Sequence, residues 1–288
     1  MDLNGDGNLD ILSGSYSRQD RDMAGLFQVL WGRKDGTFRK ATAMNGSDGQ
    51  PLILPASGDD AMIDKICTRP FACDLDGDGK LDIVSGNFRG TFAIFKGDGN
   101  GTWNPKATWL EAGGTAMSVE HHSDPFLVDW DGDGDLDLLS GSASGGAFLF
   151  PNEGSKTAPK FGARLTLVEP SGHRGGEGAI RFGDAHCTAP ASDTRVWAAD
   201  VDGDGKLDLL VGDTITLYFA AKGVEEGTAR TKDAEWRKRQ QELFQAHPGD
   251  AGGEAQKKWQ EAYTKLNAER EEFLREEMTG FVWLLRQK

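Results

Sequence analysis

The chain has 288 residues, 38% of them apolar, and a formal net charge of −14, so it has the length and the apolar content to bury a sizeable core. So acidic a surface repels phosphate backbones and anionic lipid, which sets nucleic acid and the membrane aside as partners. No apolar run reaches the roughly 18 residues of a membrane span, and no signal peptide opens the chain.

In chain order, the first feature is an aspartate-rich loop, Asp2-Leu-Asn-Gly-Asp-Gly-Asn-Leu-Asp10, directly after Met1. It returns as Asp74-Leu-Asp-Gly-Asp-Gly-Lys-Leu-Asp82, Asp129-Trp-Asp-Gly-Asp-Gly-Asp-Leu-Asp137 and Asp200-Val-Asp-Gly-Asp-Gly-Lys-Leu-Asp208. The second to fourth loops follow short apolar runs at 70–73, 125–128 and 195–199. All four continue into an aliphatic pair and then a glycine, at Gly14, Gly86, Gly141 and Gly212. Runs this short, bounded by glycine, predict buried strands on both sides of each loop. A third strand is predicted at 25–31, 90–95 and 146–150, and a looser fourth near 52–54, 108–110 and 164–168. Four strands in each of several repeated units is the pattern of propeller blades.

Past residue 219 the pattern changes. Residues 231–246 and 253–278 are rich in Glu, Lys, Arg, Gln and Ala and are split by His247-Pro-Gly249, which predicts two helices in a hairpin. Trp236, Leu243 and Phe244 form an apolar stripe on the first. Trp259, Leu266 and Phe273 form one on the second, with Ala262, Tyr263 and Met278 beside it. Gly280-Phe-Val-Trp-Leu-Leu285 then repeats the third-strand pattern. The domain reading is therefore 1–219 for the repeats, 220–279 for a helical hairpin inserted in the last repeat, and 280–288 for the returning strand.

The loops carry the chemistry. A hard cation takes several oxygen ligands at roughly 2.3–2.6 Å, and alternate residues of a tight loop can aim at one centre where glycine lets the backbone turn. Loop positions 1, 3, 5 and 9 would give side chains and position 7 a backbone carbonyl. The predicted ligands are Asp2, Asn4, Asp6, Asn8 and Asp10; Asp74, Asp76, Asp78, Lys80 and Asp82; Asp129, Asp131, Asp133, Asp135 and Asp137; and Asp200, Asp202, Asp204, Lys206 and Asp208. A backbone ligand at position 7 explains why lysine stands there twice. Asp and Gly also favour plain polar turns, but carboxylates this dense repel one another without a counter-ion. Calcium, about four ions, is the expected cofactor, and magnesium fits less well because it holds its water in a small rigid shell. An EF-hand or dockerin loop would need an acidic ligand at position 12, where Ser13, Ser85, Ser140 and Val211 stand.

The repeated D-x-(D/N)-G-D-G-x-L-D loop and its flanking strands resemble the FG-GAP/VCBS repeats, also found in integrin α-chains, over roughly residues 1–220. The resemblance implies an all-β fold, a β-propeller in which each loop joins the first two strands of a blade and holds calcium. Four units, the first without its leading strand, read as a propeller that is incomplete or truncated ahead of Met1. The resemblance also implies an extracellular or periplasmic location, its signal peptide lying outside this chain. It further implies a non-catalytic module with a protein or carbohydrate ligand and calcium in a structural role.

The alternative is a polysaccharide lyase or hydrolase on a propeller scaffold. Its candidates are sparse. His121 and His122, near Ser118 and Asp124, lack a convergent nucleophile and orienter, and His186 lies beside Asp184 and Cys187 in the long stretch 172–193. Gly154-Ser-Lys-Thr157 ends like a P-loop but lacks the earlier glycine. Asn45-Gly-Ser47 and Asn100-Gly-Thr102 have glycosylation spacing. Of the three cysteines, Cys67, Cys73 and Cys187, the first two are six apart on an extended segment and too distant to bridge unless the chain bends; at most one disulfide is expected, and free buried thiols are the plainer reading.

Overall fold

The computed structural model describes residues 1–18, 21–56, 58, 61–99, 101–170, 181–249 and 253–287. The chain divides into two compact units, one of Met1–Arg174, Ala189–Thr214 and Phe281–Lys288, the other of Gly175–Thr188 and Ile215–Gly280.

The first unit has one principal antiparallel sheet for each of the four loops, with two small two-stranded ladders beside them among the described residues. In the second repeat the leading strand Arg69–Cys73 pairs with Asp82–Gly86, which pairs with Phe92–Phe95, which pairs with Thr108–Trp109. The third repeats this order with Asp124–Val128, Asp137–Gly141, Ala147–Phe150 and Leu165–Val168. The first has Ile11–Gly14, Phe27–Leu30 and Thr42–Ala43. Its fourth strand is therefore at 42–43 and not at the predicted 52–54. Leu52 and Leu54 are fully buried there, so their apolar pattern reports core packing and not a place in the ladder. In the fourth repeat Ser192–Ala199 pairs with the first half of Asp208–Ala220, whose residues 209–212 also pair with Val282–Leu285. The returning segment thus fills the third-strand place.

The second strands of the second and third repeats are buried from end to end because both of their faces are covered, whereas Ile11 in that of the first is exposed. Ile83 of the second repeat joins Phe27 and Val29 of the first, whereas Val84 joins Leu127 and Leu138 of the third. Leu139 and Leu149 of the third in turn pack with Val196 and Leu209 of the fourth. The core is thus laid down as layers between consecutive repeats, the contact pattern of a quasi-one-dimensional array.

The same register brings backbones together. A Cβ added to Gly14 would lie 1.8 Å from the Thr68 carbonyl oxygen, one on Gly86 2.0 Å from that of Ser123, and one on Gly141 2.1 Å from that of Thr194. Only glycine permits this approach. The hydroxyls of these residues stitch neighbouring repeats. Those of Thr68, Ser123 and Thr194 accept the amides of Ser15, Asn87 and Ser142 at 2.9, 3.0 and 2.9 Å, and donate to the carbonyls of Leu26, Thr91 and Gly146. The residue before each hydroxyl, Cys67, His122 or Asp193, has φ between 51° and 57°. This left-handed kink turns the chain into the leading strand. At Gly212 an added Cβ would meet nothing within 4 Å, and the amide of Asp213 instead bonds the Phe281 carbonyl at 3.1 Å.

The second unit holds helices Glu226–Gln245 and Gly253–Glu271 against strand Leu274–Thr279, which pairs with residues 215–220. The predicted helix over 253–278 therefore stops at Glu271. Phe273 and Leu274 turn inward, and the charged run that follows takes ladder bonds in place of helical ones. Trp236 and Leu266 are buried as their stripes require, and Phe273 is buried just past the helix, but Phe244 is 49% exposed and Met278 lies on the strand, 78% exposed. The first helix begins five residues earlier than predicted. Asp233 is wholly buried and shared by Arg237 at 2.7 Å and Arg270 at 3.0 Å.

Candidate metal centres

The four loops share one fold, set by the carboxylate at position 1. Asp2 accepts the amides of Gly5, Asp6 and Gly7, and Asp200 those of Gly203, Asp204 and Gly205. Asp74 and Asp129 do the same with slightly fewer bonds. Position 5 accepts the amide of position 7 at 2.9 to 3.0 Å in every loop. The position 4 and 6 glycines at positive φ, such as Gly132 and Gly134, make this tight course available.

The result is convergence. Carboxylate oxygens of Asp74, Asp76 and Asp78 lie within 4.8 Å of one another, as do those of Asp129, Asp131 and Asp133 and those of Asp200, Asp202 and Asp204. Each triplet can hold a metal ion. In the first loop Asn4 replaces the middle carboxylate, and its amide instead donates to Asp6. The predicted position 7 residues, Asn8, Lys80, Asp135 and Lys206, donate their own amides to position 5, which leaves their carbonyls as the oxygens they can offer.

Position 9 has a further task that its spacing did not disclose. Asp10, Asp82, Asp137 and Asp208 are almost completely buried. One oxygen of each accepts an amide two residues beyond the third strand, from Gly32, Gly97, Asn152 or Gln287. In three repeats the other oxygen accepts the position 2 amide of Leu3, Trp130 or Val201. This carboxylate fastens the loop to the sheet, and its remaining lone pairs are what it can give an ion.

The loops differ in charge. In the second, the Lys96 ammonium lies 2.6 Å from both Asp76 and Asp82. Burial opposes its charge, but the two carboxylates outweigh that and hold its pKa above the ordinary lysine value. In the fourth, Arg286 pairs with Asp202 at 2.8 Å. The third has five aspartates and, among the described residues, no such partner. There burial raises the pKa of Asp135, with the charges of Asp133, Asp137, Asp131 and Asp129 adding, and burial raises Asp137 as well. Such a carboxylate set is a fit for a hard divalent cation, whose charge would relieve that repulsion.

The other sequence candidates are not drawn together among the described residues. His122 packs edge-on to Phe88 at 4.5 Å, with His121 farther off at 6.4 Å. The Ser118 hydroxyl donates to the Val119 carbonyl, and Asp124 pairs with Arg195. The His186 side chain, residues 171–180 and Asn100 lie outside the described residues. Ser155 and Ala158 bridge in a plain turn, and Asn45 is exposed. Cys67, Cys73 and Cys187 are free thiols, and burial pushes the Cys73 thiol up to about 12. The Thr68, Ser123 and Thr194 stitch escaped sequence reasoning. Its signal is a hydroxyl residue directly ahead of the leading strand in the second and third repeats and at the register shift within it in the fourth.

Residues 74–140 and 129–211 match the model of the FG-GAP-like repeat. This stretch is therefore made of FG-GAP-like repeats, as the loops indicated. No curated protein matches the chain. Among solved structures, a chain of the Photorhabdus luminescens Tc holotoxin pore is similar at 18% identity and a TM-score of 0.35, over 70% of this chain and 8% of that one. That likeness is too slight to bear on fold or function. No helix among the described residues is long and apolar enough to cross a membrane.

Proposed function

We propose that the chain is a calcium-binding, non-catalytic interaction module of β-propeller type, working outside the cytoplasm on a protein or carbohydrate ligand. The observation that carries this reading is the convergence of position 1, 3 and 5 carboxylates within 4.8 Å in three successive loops. The last three loops each join a leading strand to a second strand and the first runs directly into its second strand, so an ion there would pin the entry to each second strand and act structurally. Calcium suits the oxygen-only ligand set and the mixture of side chains and carbonyls, and sites of this kind match the higher calcium outside cells. FG-GAP-like repeats with their sheets side by side are the support for the propeller. Calorimetric titration tests the ion: the reading predicts saturable uptake of about four calcium ions per chain, with magnesium much weaker. Uptake of none, or equal preference for magnesium, would refute it.

A further inference from the structure

The three junctions between consecutive repeats are built from the same positions. The residue at loop position 2 packs toward the following repeat, as Leu3, Leu75 and Trp130 do. The leucine at position 8 packs toward the preceding one, as Leu81, Leu136 and Leu207 do. Each sheet adds a row of ladder partners to either face. Toward the following repeat the row is Phe71, Val84 and Ile94 in the second repeat and Phe126, Leu139 and Leu149 in the third. Toward the preceding repeat it is Ala72, Ile83 and Phe95 in the second and Leu127, Leu138 and Phe150 in the third.

At the two ends of the array the same positions are apolar but lie open. In the fourth repeat position 2 is Val201, and the ladder row toward a following repeat is Trp197, Leu210 and Leu284. Val201, Trp197 and Leu284 are 49, 57 and 43% exposed, whereas their counterparts Leu75, Phe126 and Leu149 are buried. In the first repeat Leu9 holds the place of Leu81, and Ile11 and its ladder partner Leu30 hold those of Ile83 and Phe95. Leu9 is 72% and Ile11 44% exposed, whereas Ile83 is completely buried. End repeats of an array ordinarily turn a polar face outward, and open apolar patches mark contact surfaces. Here the two open faces are the two halves of a junction that the chain already makes three times within itself.

We infer that the protein pairs head to tail with a second copy of itself, the first repeat of each copy seated on the fourth repeat of the other. The contact joins two different faces, so it either closes on itself or grows without end. Two copies of four principal sheets give eight, within the range of about four to eight blades over which propellers close. The closure rests on the propeller reading proposed above, and the contact rests on the matching faces alone.

The test is sedimentation velocity of the intact, calcium-loaded protein from low to high micromolar concentration, with calcium uptake measured on the same sample. A particle of two copies is expected. Leu284→Lys and Ile11→Glu each change an exposed side chain and should melt as the parent does. Each should weaken the pair by about tenfold or more, because a charge then meets an apolar face. Mixing the two variants should restore the pair. The unaltered first repeat of one then meets the unaltered fourth repeat of the other, and the two altered faces bring Lys and Glu together. Protein that takes up calcium yet stays single would overturn the inference and leave the reading as a calcium-binding module standing. A pair that survives Ile11→Glu but not Leu284→Lys would show the fourth repeat meeting its own copy, and would overturn it, as would a pair that survives both variants or fails to return on mixing. Growth past two copies would overturn the closed pair and count against the propeller reading, whatever the calcium uptake.

Discussion

Asp135 shows how a single residue can report the charge state of its loop. Its pKa is raised, first by burial and then by four neighbouring carboxylates. A carboxyl raised in the folded state contributes stability that is complete below the ordinary carboxylate range, near 4, and is lost as pH climbs through the folded value. In the calcium-free protein, Asp135→Asn should therefore melt higher than the parent at neutral pH, with the advantage vanishing on acidification toward pH about 4. Position 7 would lend an ion its backbone carbonyl, so the variant should still take up calcium. An advantage that grew on acidification would contradict this account. Asp137 has a different part, since it accepts the amides of Trp130 and Asn152 at 3.0 and 2.7 Å. Asp137→Ala should cost about 3 kcal/mol in denaturant unfolding under chelator, because two buried amides lose a charged acceptor. A cost below about 1 kcal/mol would show that the residue serves an ion alone.

Between elements, the repeats are joined at three junctions by a hydroxyl, by the backbone hydrogen bonds beside it and by apolar layers. Thr194→Val keeps the side-chain shape but strands the Ser142 amide and the Gly146 carbonyl, at a cost of about 1–3 kcal/mol. Thr194→Ser should recover most of it, and an equal loss in both variants would mean that packing and not the hydroxyl joins the repeats. In the helical unit, Asp233→Ala removes the carboxylate shared by Arg237 and Arg270. The variant should lose about 1–3 kcal/mol, since Arg270 keeps only Glu276 of its two carboxylate partners. Circular dichroism at 222 nm would follow this loss of helix, and an unchanged midpoint would contradict it.

Across the whole molecule, what could be read from the sequence was what lies close along the chain. Asp129, Asp131 and Asp133 meet because a few glycines let nine residues curl, so spacing alone announced them. Leu138 and Leu139 announced a strand buried on both faces. The hydroxyl stitch joins residues 36 to 53 apart, and no local pattern marks such a pairing. Histidine and aspartate enter the left-handed region more readily than most residues, but no local pattern marks the kink shared by Cys67, His122 and Asp193. Strand Leu274–Thr279 was hidden for another reason: its Glu and Arg residues favour helix, and pairing with residues 215–220 overrides that preference.

The same view identifies the loops as fastenings within each sheet, each tied to the end of its third strand through a buried aspartate. Ions held there would stabilise by binding the folded chain and not the unfolded one. The most direct measurement is the melting curve of the intact protein in excess calcium and in chelator. The account predicts a midpoint lower by many degrees in chelator and restored by calcium but not by magnesium; superimposable curves, with no calcium taken up, would contradict it.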